Sequence, residues 1–297
     1  MDLLVLGGNG LLGSNVVQTA TGREWEVATT YHSEEPTFDF PTRELDIRDR
    51  SRFEQLLDEY DPEIVVNCAA MTDVDGCQRK PDLAQAVNAR APKKLARACE
   101  ARGIDFCHIS TDYVFDGTET GLYDESATPA PIQMYGTSKL AGDIAVRDAH
   151  SAPLIVRPSF IYGVHKPDDS LTGFPAWVRS QLRSSEQVPL FRDQHITPSR
   201  AGQVGATLLQ LVTEGYSGTF NIACRSCTTP YEFGMALRER LGLESVPVEP
   251  ASLSAVERPA ARPQHTCLDV RKVEGCLDTV QPTLDEDLDR IEPVLEE

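Results

Sequence analysis

The segment Gly7-Gly8-Asn9-Gly10-Leu11-Leu12-Gly13 constrains this chain more than any other, because its glycines at 7, 10 and 13 fall between an apolar run (residues 2–6) and a helix-spaced segment (residues 11–20). At that position each glycine has a mechanical task. The first admits a tight turn, the second lets a pyrophosphate approach the backbone, and the third lets the helix pack closely on the strand. The amides that open the helix then face the phosphates. A dinucleotide crevice at the first strand-to-helix turn is the consequence, with Gly7, Asn9, Gly10, Leu11, Leu12 and Gly13 as its cofactor-binding residues.

Strand and helix alternate from there. Residues 26–31, 63–69, 105–111 and 153–161 read as strands, and residues 51–60, an Ala-rich stretch containing Val87, Ala91, Leu95 and Ala98, and residues 135–146 read as helices. Pro92 should kink or restart the helix it interrupts. Such alternation implies an α/β fold with a doubly wound parallel sheet covered on both faces. After residue 164 the pattern loosens. Residues 165–173 look like a loop, 174–183 a helix, 187–191 a short strand, and 218–223 another strand. A helix follows at 231–241, then a loop at 250–264 with three prolines, then a helical acidic tail. The expected division is a Rossmann-type domain at 1–163 and a smaller, partly interwoven substrate domain at 164–297.

Composition excludes several classes of partner. Forty-six acidic against 28 basic residues give a formal net charge of −18, which disfavours nucleic acid and anionic lipid surfaces. No stretch approaches the length of a spanning helix, and residues 1–7 have no basic n-region of a secretory signal, so the chain reads as cytoplasmic. The eight cysteines show no paired metal-ligand spacing and read as reduced thiols, with Cys224-Arg-Ser-Cys227 the one close pair and no metal site named. Only six of the basic residues are lysine. That texture reads as adaptation to high salt, where a strongly hydrated anionic surface resists association.

The second predicted strand ends in Thr29-Thr30-Tyr31-His32-Ser33, without the acidic residue that would bind an unphosphorylated ribose and repel a 2′-phosphate. NADP(H) is therefore favoured over NAD(H), although Glu34 and Glu35 follow closely. Tyr135 and Lys139 stand four residues apart, on one face of a helix. A free phenol titrates near pH 10, and bringing it to neutrality requires roughly 4 kcal/mol of differential stabilisation, part of which a neighbouring ammonium supplies. Upstream, Ser110-Thr111-Asp112 closes a predicted central strand with hydroxyls, where open α/β sheets hold ligands.

Together Gly7 to Gly13, Asn67-Cys68-Ala69-Ala70, Val87-Asn88-Ala89, Ser110 to Gly117, Tyr135-x-x-x-Lys139, Arg157-Pro158-Ser159-Phe160-Ile161-Tyr162-Gly163 and Arg262-Pro263 before Leu268-Asp269 resemble the extended short-chain dehydrogenase/reductases. Within them, the resemblance is greatest to the dTDP-4-dehydrorhamnose reductase family. It implies that Tyr135 protonates the C4 oxygen of a nucleotide-sugar substrate while a nicotinamide delivers hydride to C4. It further implies that Lys139 holds the ribose and lowers the tyrosine pKa, and that Thr111 bonds the keto oxygen. Asp112 and Phe160 would contact the sugar, Asp46 and Ile47 would flank the adenine, and Ala69, Ala70 and Met71 would line the cofactor. A 4-epimerase of the same superfamily and a non-catalytic, nucleotide-binding regulatory subunit, as in the methionine adenosyltransferase β subunit, stay open as alternatives, as does a homodimer.

The salt-adapted reading is checked by unfolding in 0.1 M and multimolar potassium chloride. A marked loss of stability in dilute buffer is expected, and full stability there overturns it.

Overall fold

The structure is a computed structural model and describes residues 1–184 and 187–295. Its strands are β1 (Leu3–Leu6), β2 (Val27–Tyr31), β3 (Thr42–Glu44), β4 (Ile64–Asn67), β5 (Asp105–Ile109), β6 (Leu154–Arg157), β7 (Ile161–His165), β8 (Ser170–Thr172), β9 (Val188–Phe191), β10 (Ser199–Arg200), β11 (Gly218–Asn221) and β12 (Val248–Ala251). Seven form one parallel sheet in the order β11-β6-β5-β4-β1-β2-β3. From β1 the chain runs one way to β2 and β3, then returns to build β4, β5 and β6 on the other side. A crevice opens where the order reverses, outside the carboxyl ends of β1 and β4.

Burial explains why the central strands are largely apolar, β1 above all. All four residues of β1 are fully buried, each contributing roughly 1.5–3 kcal/mol relative to exposure. One face of the sheet is covered by a core containing Val16, Val17, Leu208 and Leu211, the other by one containing Phe53, Leu56, Leu95 and Ala98. This is the Rossmann-type architecture that the alternation implied.

Several local expectations change. The stretch expected as one strand at 153–161 is divided: β6 ends at Arg157, Pro158 has no N–H to continue the ladder, and Phe160 turns through φ 46° before β7 enters a different sheet. The segment expected as a loop at 165–173 contains β8, which pairs antiparallel with β7. Within 250–264, Pro250 and Ala251 belong to β12, parallel to β9. Ahead of Pro92 the chain takes a π-helical turn, Ala86–Arg90, and a fresh helix, Ala91–Glu100, starts with the proline in its first turn. There the missing N–H costs nothing.

Beyond residue 163 the chain serves both parts of the molecule. The helix Ala201–Thr213 packs on Leu11–Thr21, and β11 completes the edge of the large sheet beside β6. The remaining elements enclose a separate core around Tyr162, Val178, Leu190, Phe233 and Leu288. The final residues of the acidic tail, 296–297, lie outside the described residues. Among the described residues no helix is long and apolar enough to cross a membrane.

The cysteines require a correction. Cys227 and Cys267 form a disulfide across 40 residues, so they are not ordinary reduced thiols, and Cys227 is not paired with Cys224. The reason is tertiary. Ile196 bridges Thr228 and His195 bridges His265, which brings two distant segments side by side. His265 joins the two cysteines, with ligand atoms all within 4.8 Å of one another, a grouping invisible in the sequence. Closing a loop of that length stabilises the fold by about 4 kcal/mol in the chain-entropy model. Non-reducing peptide mapping should recover residues 227 and 267 cross-linked, and a dithiol should lower the urea midpoint; eight alkylatable thiols in the unreduced protein would refute the bridge.

Candidate active site

A cavity of about 640 Å³ lies at the carboxyl edge of the sheet, between the glycine turn, the ends of β2, β4 and β5, and the helix Met134–Arg147. Backbone proximity shapes its floor. Gly7 turns at φ +80°, and a Cβ on Gly13 would stand 2.2 Å from the Gly7 carbonyl oxygen, so the helix touches the turn. Gly10 caps that helix without a side-chain hydrogen bond, leaving the first-turn amides facing the cavity.

The Tyr135 helix is placed with similar economy. Gln133 accepts from the Gly136 amide at 2.6 Å, and a Cβ on Gly136 would lie 1.9 Å from the Tyr113 carbonyl oxygen. Glycine after the tyrosine is what lets the helix reach the turn that carries Asp112. From the other side Asn88, in the π-helical turn, donates to the Met71 carbonyl and to Ser138, and accepts from the Met71 amide.

Tyr135, Lys139, Thr111, Asp112 and Phe160 all line the cavity with Gly7, Asn9, Gly10, Leu11, Leu12, Gly13, Ala69 and Ala70. Lys139 is buried and donates its ammonium to the Ile109 carbonyl at 2.5 Å. Burial lowers its pKa to about 8, against the partial opposition of Asp143. The Tyr135 phenol is pushed above its ordinary value by burial, with a hydrogen bond to Thr111 pulling the other way. Lys139 is not among the largest influences on that shift. The phenol is thus held as the acid, the form that can donate a proton.

Asp112 is a buried carboxylate surrounded by hydroxyls. It accepts from Thr111 at 3.0 Å, from Ser159 at 2.8 Å and from Thr266 at 2.6 Å. Burial raises its pKa to about 6 despite all three bonds. The Thr111 hydroxyl hydrogen is therefore directed at Asp112, while its oxygen accepts from the Tyr113 amide at 3.2 Å. Phe160, in the left-handed region, sets its ring edge-on to Phe174 at 5.4 Å and brings the second lobe to the cavity wall. Deeper in, Ser110 donates to Asp143, which pairs with buried Arg157 at 3.5 Å.

Three sequence-predicted residues stand outside the wall. Ile47 is buried in the core, Met71 offers only its backbone to Asn88, and Asp46 is gripped by Arg48, which holds its pKa down to about 2. His32, which does line the cavity, lies 4.0 Å from Asp46, so Arg48 stands near the end of β2. Ser159, Thr266 and Arg48 escaped the sequence reading. Ser159 and Thr266 lie inside stretches that carried the family resemblance, but nothing local says which side chain turns inward.

A twisted parallel sheet with a glycine turn at its switch point, and a tyrosine and lysine facing a strand-end threonine, define an NAD(P)H-dependent oxidoreductase of the extended short-chain dehydrogenase/reductase type. The chain belongs to the RmlD substrate-binding domain family, whose model matches residues 1–294. It is 51% identical over 292 residues to the probable low-salt glycan biosynthesis reductase Agl14 of Haloferax volcanii, covering 98% of this chain and 97% of the relative. It is 32% identical over 277 residues to a dTDP-4-dehydrorhamnose reductase of Mycobacterium tuberculosis, covering 91% and 85%. A dTDP-4-dehydrorhamnose reductase from Bacillus anthracis, solved in complex with NADP, superposes with a TM-score of 0.86 at 27% identity, covering 98% of each chain.

The lysine makes a testable contribution to stability. Its folded pKa, about 8, lies below the unfolded value, so burying the charge costs stability at pH 8 and below, and the cost is relieved as pH rises toward 10.5. Urea unfolding at pH 7 and pH 10 should show Lys139→Met losing this rise, on the order of 3 kcal/mol relative to wild type. Identical pH slopes would contradict the buried ammonium.

Proposed function

We propose that the chain reduces the C4 ketone of a dTDP-4-keto-6-deoxyhexose, as in dTDP-rhamnose synthesis, in the cytoplasm and with NADPH favoured over NADH. The observation that carries this reading is the meeting of Tyr135, Thr111 and Lys139 in one cavity with the glycine turn. Gly7, Asn9, Gly10, Leu11, Leu12, Gly13, Ala69 and Ala70 would hold the dinucleotide, with Asp46 and Ile47 bordering its adenine end beyond His32. When bound, the nicotinamide supplies hydride to the carbonyl carbon. His32 and Ser33, which line the cavity, and Arg48, which shares Asp46 with His32, would support a phosphorylated ribose.

Tyr135 donates its phenolic proton to the ketone oxygen, which becomes the product hydroxyl, and is reprotonated from solvent. The Lys139 ammonium, protonated at neutral pH, favours the phenolate left behind and anchors the ribose. On substrate binding the Thr111 hydroxyl would turn from Asp112 to donate to the ketone oxygen, and Asp112 and Phe160 would complete the sugar wall. Residues 1–163 form the cofactor-binding part, and the core around Phe233 backs the substrate-binding part within 164–297.

Purified protein, NADPH and enzymatically prepared dTDP-4-keto-rhamnose, assayed in high salt, should show substrate-dependent loss of reduced-cofactor absorbance. Tyr135→Phe should lower kcat by about 10²–10⁴ while leaving the NADPH dissociation constant nearly unchanged. An inverted sugar without net cofactor oxidation would favour a 4-epimerase, and binding without turnover a regulatory subunit; either result displaces the proposal.

A further inference from the structure

The stretch between Arg262-Pro263 and Leu268-Asp269 lies far from the cofactor turn in sequence, yet one of its residues reaches the centre of the site. The chain is extended there: the Thr266 amide donates to the His195 carbonyl at 2.9 Å, and the His195 amide donates to the Gln264 carbonyl at 2.7 Å. Alternation along an extended segment sends neighbouring side chains to opposite sides. His265 and Cys267 meet Cys227 on one side, and Thr266, fully buried, meets Asp112 on the other. The Cys227–Cys267 disulfide is thus one residue from a hydrogen bond to the carboxylate that holds Thr111.

We propose that Thr266 is a positioning residue for the reduction, acting through Asp112 on Thr111, and that the Cys227–Cys267 disulfide holds the Thr266 segment against the site. This rests on the reading of the cavity as a ketone-reducing centre. The Asp112 carboxylate oxygen Oδ2 accepts from Thr266 and Ser159, while Oδ1 accepts from Thr111. Two donors on Oδ2 fix the carboxylate plane, and that plane decides where the Thr111 hydroxyl points. Losing Thr266 leaves Ser159 alone on Oδ2 and lets the carboxylate turn. The titratable groups facing Asp112 are the phenols of Tyr113 and Tyr135, with the guanidinium groups of Arg258 and Arg262 acting on Tyr113 from the C-terminal segment. Lys139 interacts with Asp143 rather than Asp112.

The sign of the effect follows. The Thr266 hydroxyl stabilises the ionised carboxylate, so its removal raises the Asp112 pKa above its present value of about 6. In the steady-state assay, Thr266→Val should move the acid limb of kcat/KM upward by about one pH unit and lower kcat about tenfold, with the NADPH dissociation constant unchanged. Thr266→Ser, which restores the hydroxyl, should restore both. Cys227→Ser, at the exposed end of the bridge, should shift the limb in the same direction, and the double variant Cys227→Ser/Thr266→Val should lose no more than Thr266→Val alone.

An unmoved acid limb in Thr266→Val, or Thr266→Ser as impaired as Thr266→Val, overturns the positioning role. Additive losses in the double variant overturn the link to the disulfide. A second readout needs no turnover. Asp112 is raised in the folded state, so wild-type stability falls as pH rises from about 4 to 6, and Asp112→Asn isolates that fall. Thr266→Val should extend the fall to higher pH in urea unfolding; an unchanged window refutes the inference. Wild-type protein that fails to oxidise NADPH would refute the ketone-reduction reading, and the unfolding experiment still decides the Thr266 to Asp112 coupling.

Discussion

A single buried carboxylate gathers the site together. Asp112 receives hydroxyls from the end of β5, from the loop after β6 and from the C-terminal segment, so that three stretches of chain meet on one side chain. Hydrogen bonds to a charged group contribute about 1.5–3 kcal/mol each, which offsets the desolvation of an ion so far from water. The raised pKa shows that the offset is incomplete. A carboxylate held this way cannot relax without releasing its donors, so the alignment of Thr111, Ser159 and Thr266 is fixed collectively.

Around this hub the same physics recurs. A parallel sheet ends all its strands at one edge, and the crevice at its switch point receives whatever side chains those ends carry. Here they are Ser110, Thr111 and Asp112 at β5, and Cys68, Ala69 and Ala70 at β4. Small residues keep the cofactor side open, and hydroxyls and acids cluster where a carbonyl would be polarised. Behind them Asp143 and Arg157 form a buried ion pair, with the guanidinium 5.4 Å from the Phe115 ring centroid. Burial acts on both catalytic candidates: it keeps the phenol protonated, and it lowers the lysine pKa while leaving the ammonium mostly charged at pH 7.

Much of this was legible in the residues themselves. The glycine turn and the apolar strands announced a dinucleotide fold because their spacing is dictated by local sterics and by burial on both faces. Tyr135, Lys139 and Thr111 could be nominated because helix spacing puts the first two on one face and a strand end carries the third, while the family resemblance supplied their roles. The disulfide was hidden, since Cys227 and Cys267 come together only through bridges between segments remote in the chain. Thr266 was hidden for the same reason, and so was Arg48, whose proximity to His32 depends on how the chain returns after the short polar edge strand β3. The division of the expected strand at 153–161 was announced only faintly by Pro158, because the left-handed turn at Phe160 is imposed by tertiary packing.

The seventh strand of the large sheet has a consequence for biosynthesis. Because β11 comes from residues 218–221 and the helix Ala201–Thr213 covers Leu11–Thr21, a nascent polypeptide released only as far as residue 163 presents β6 as a bare edge and the first helix as an uncovered apolar face. The amino-terminal half is therefore not a module that completes itself while the ribosome is still translating the remainder. Its last hydrogen-bond ladder waits for more than fifty further residues, and a truncation at the apparent lobe boundary removes part of the sheet along with the lobe.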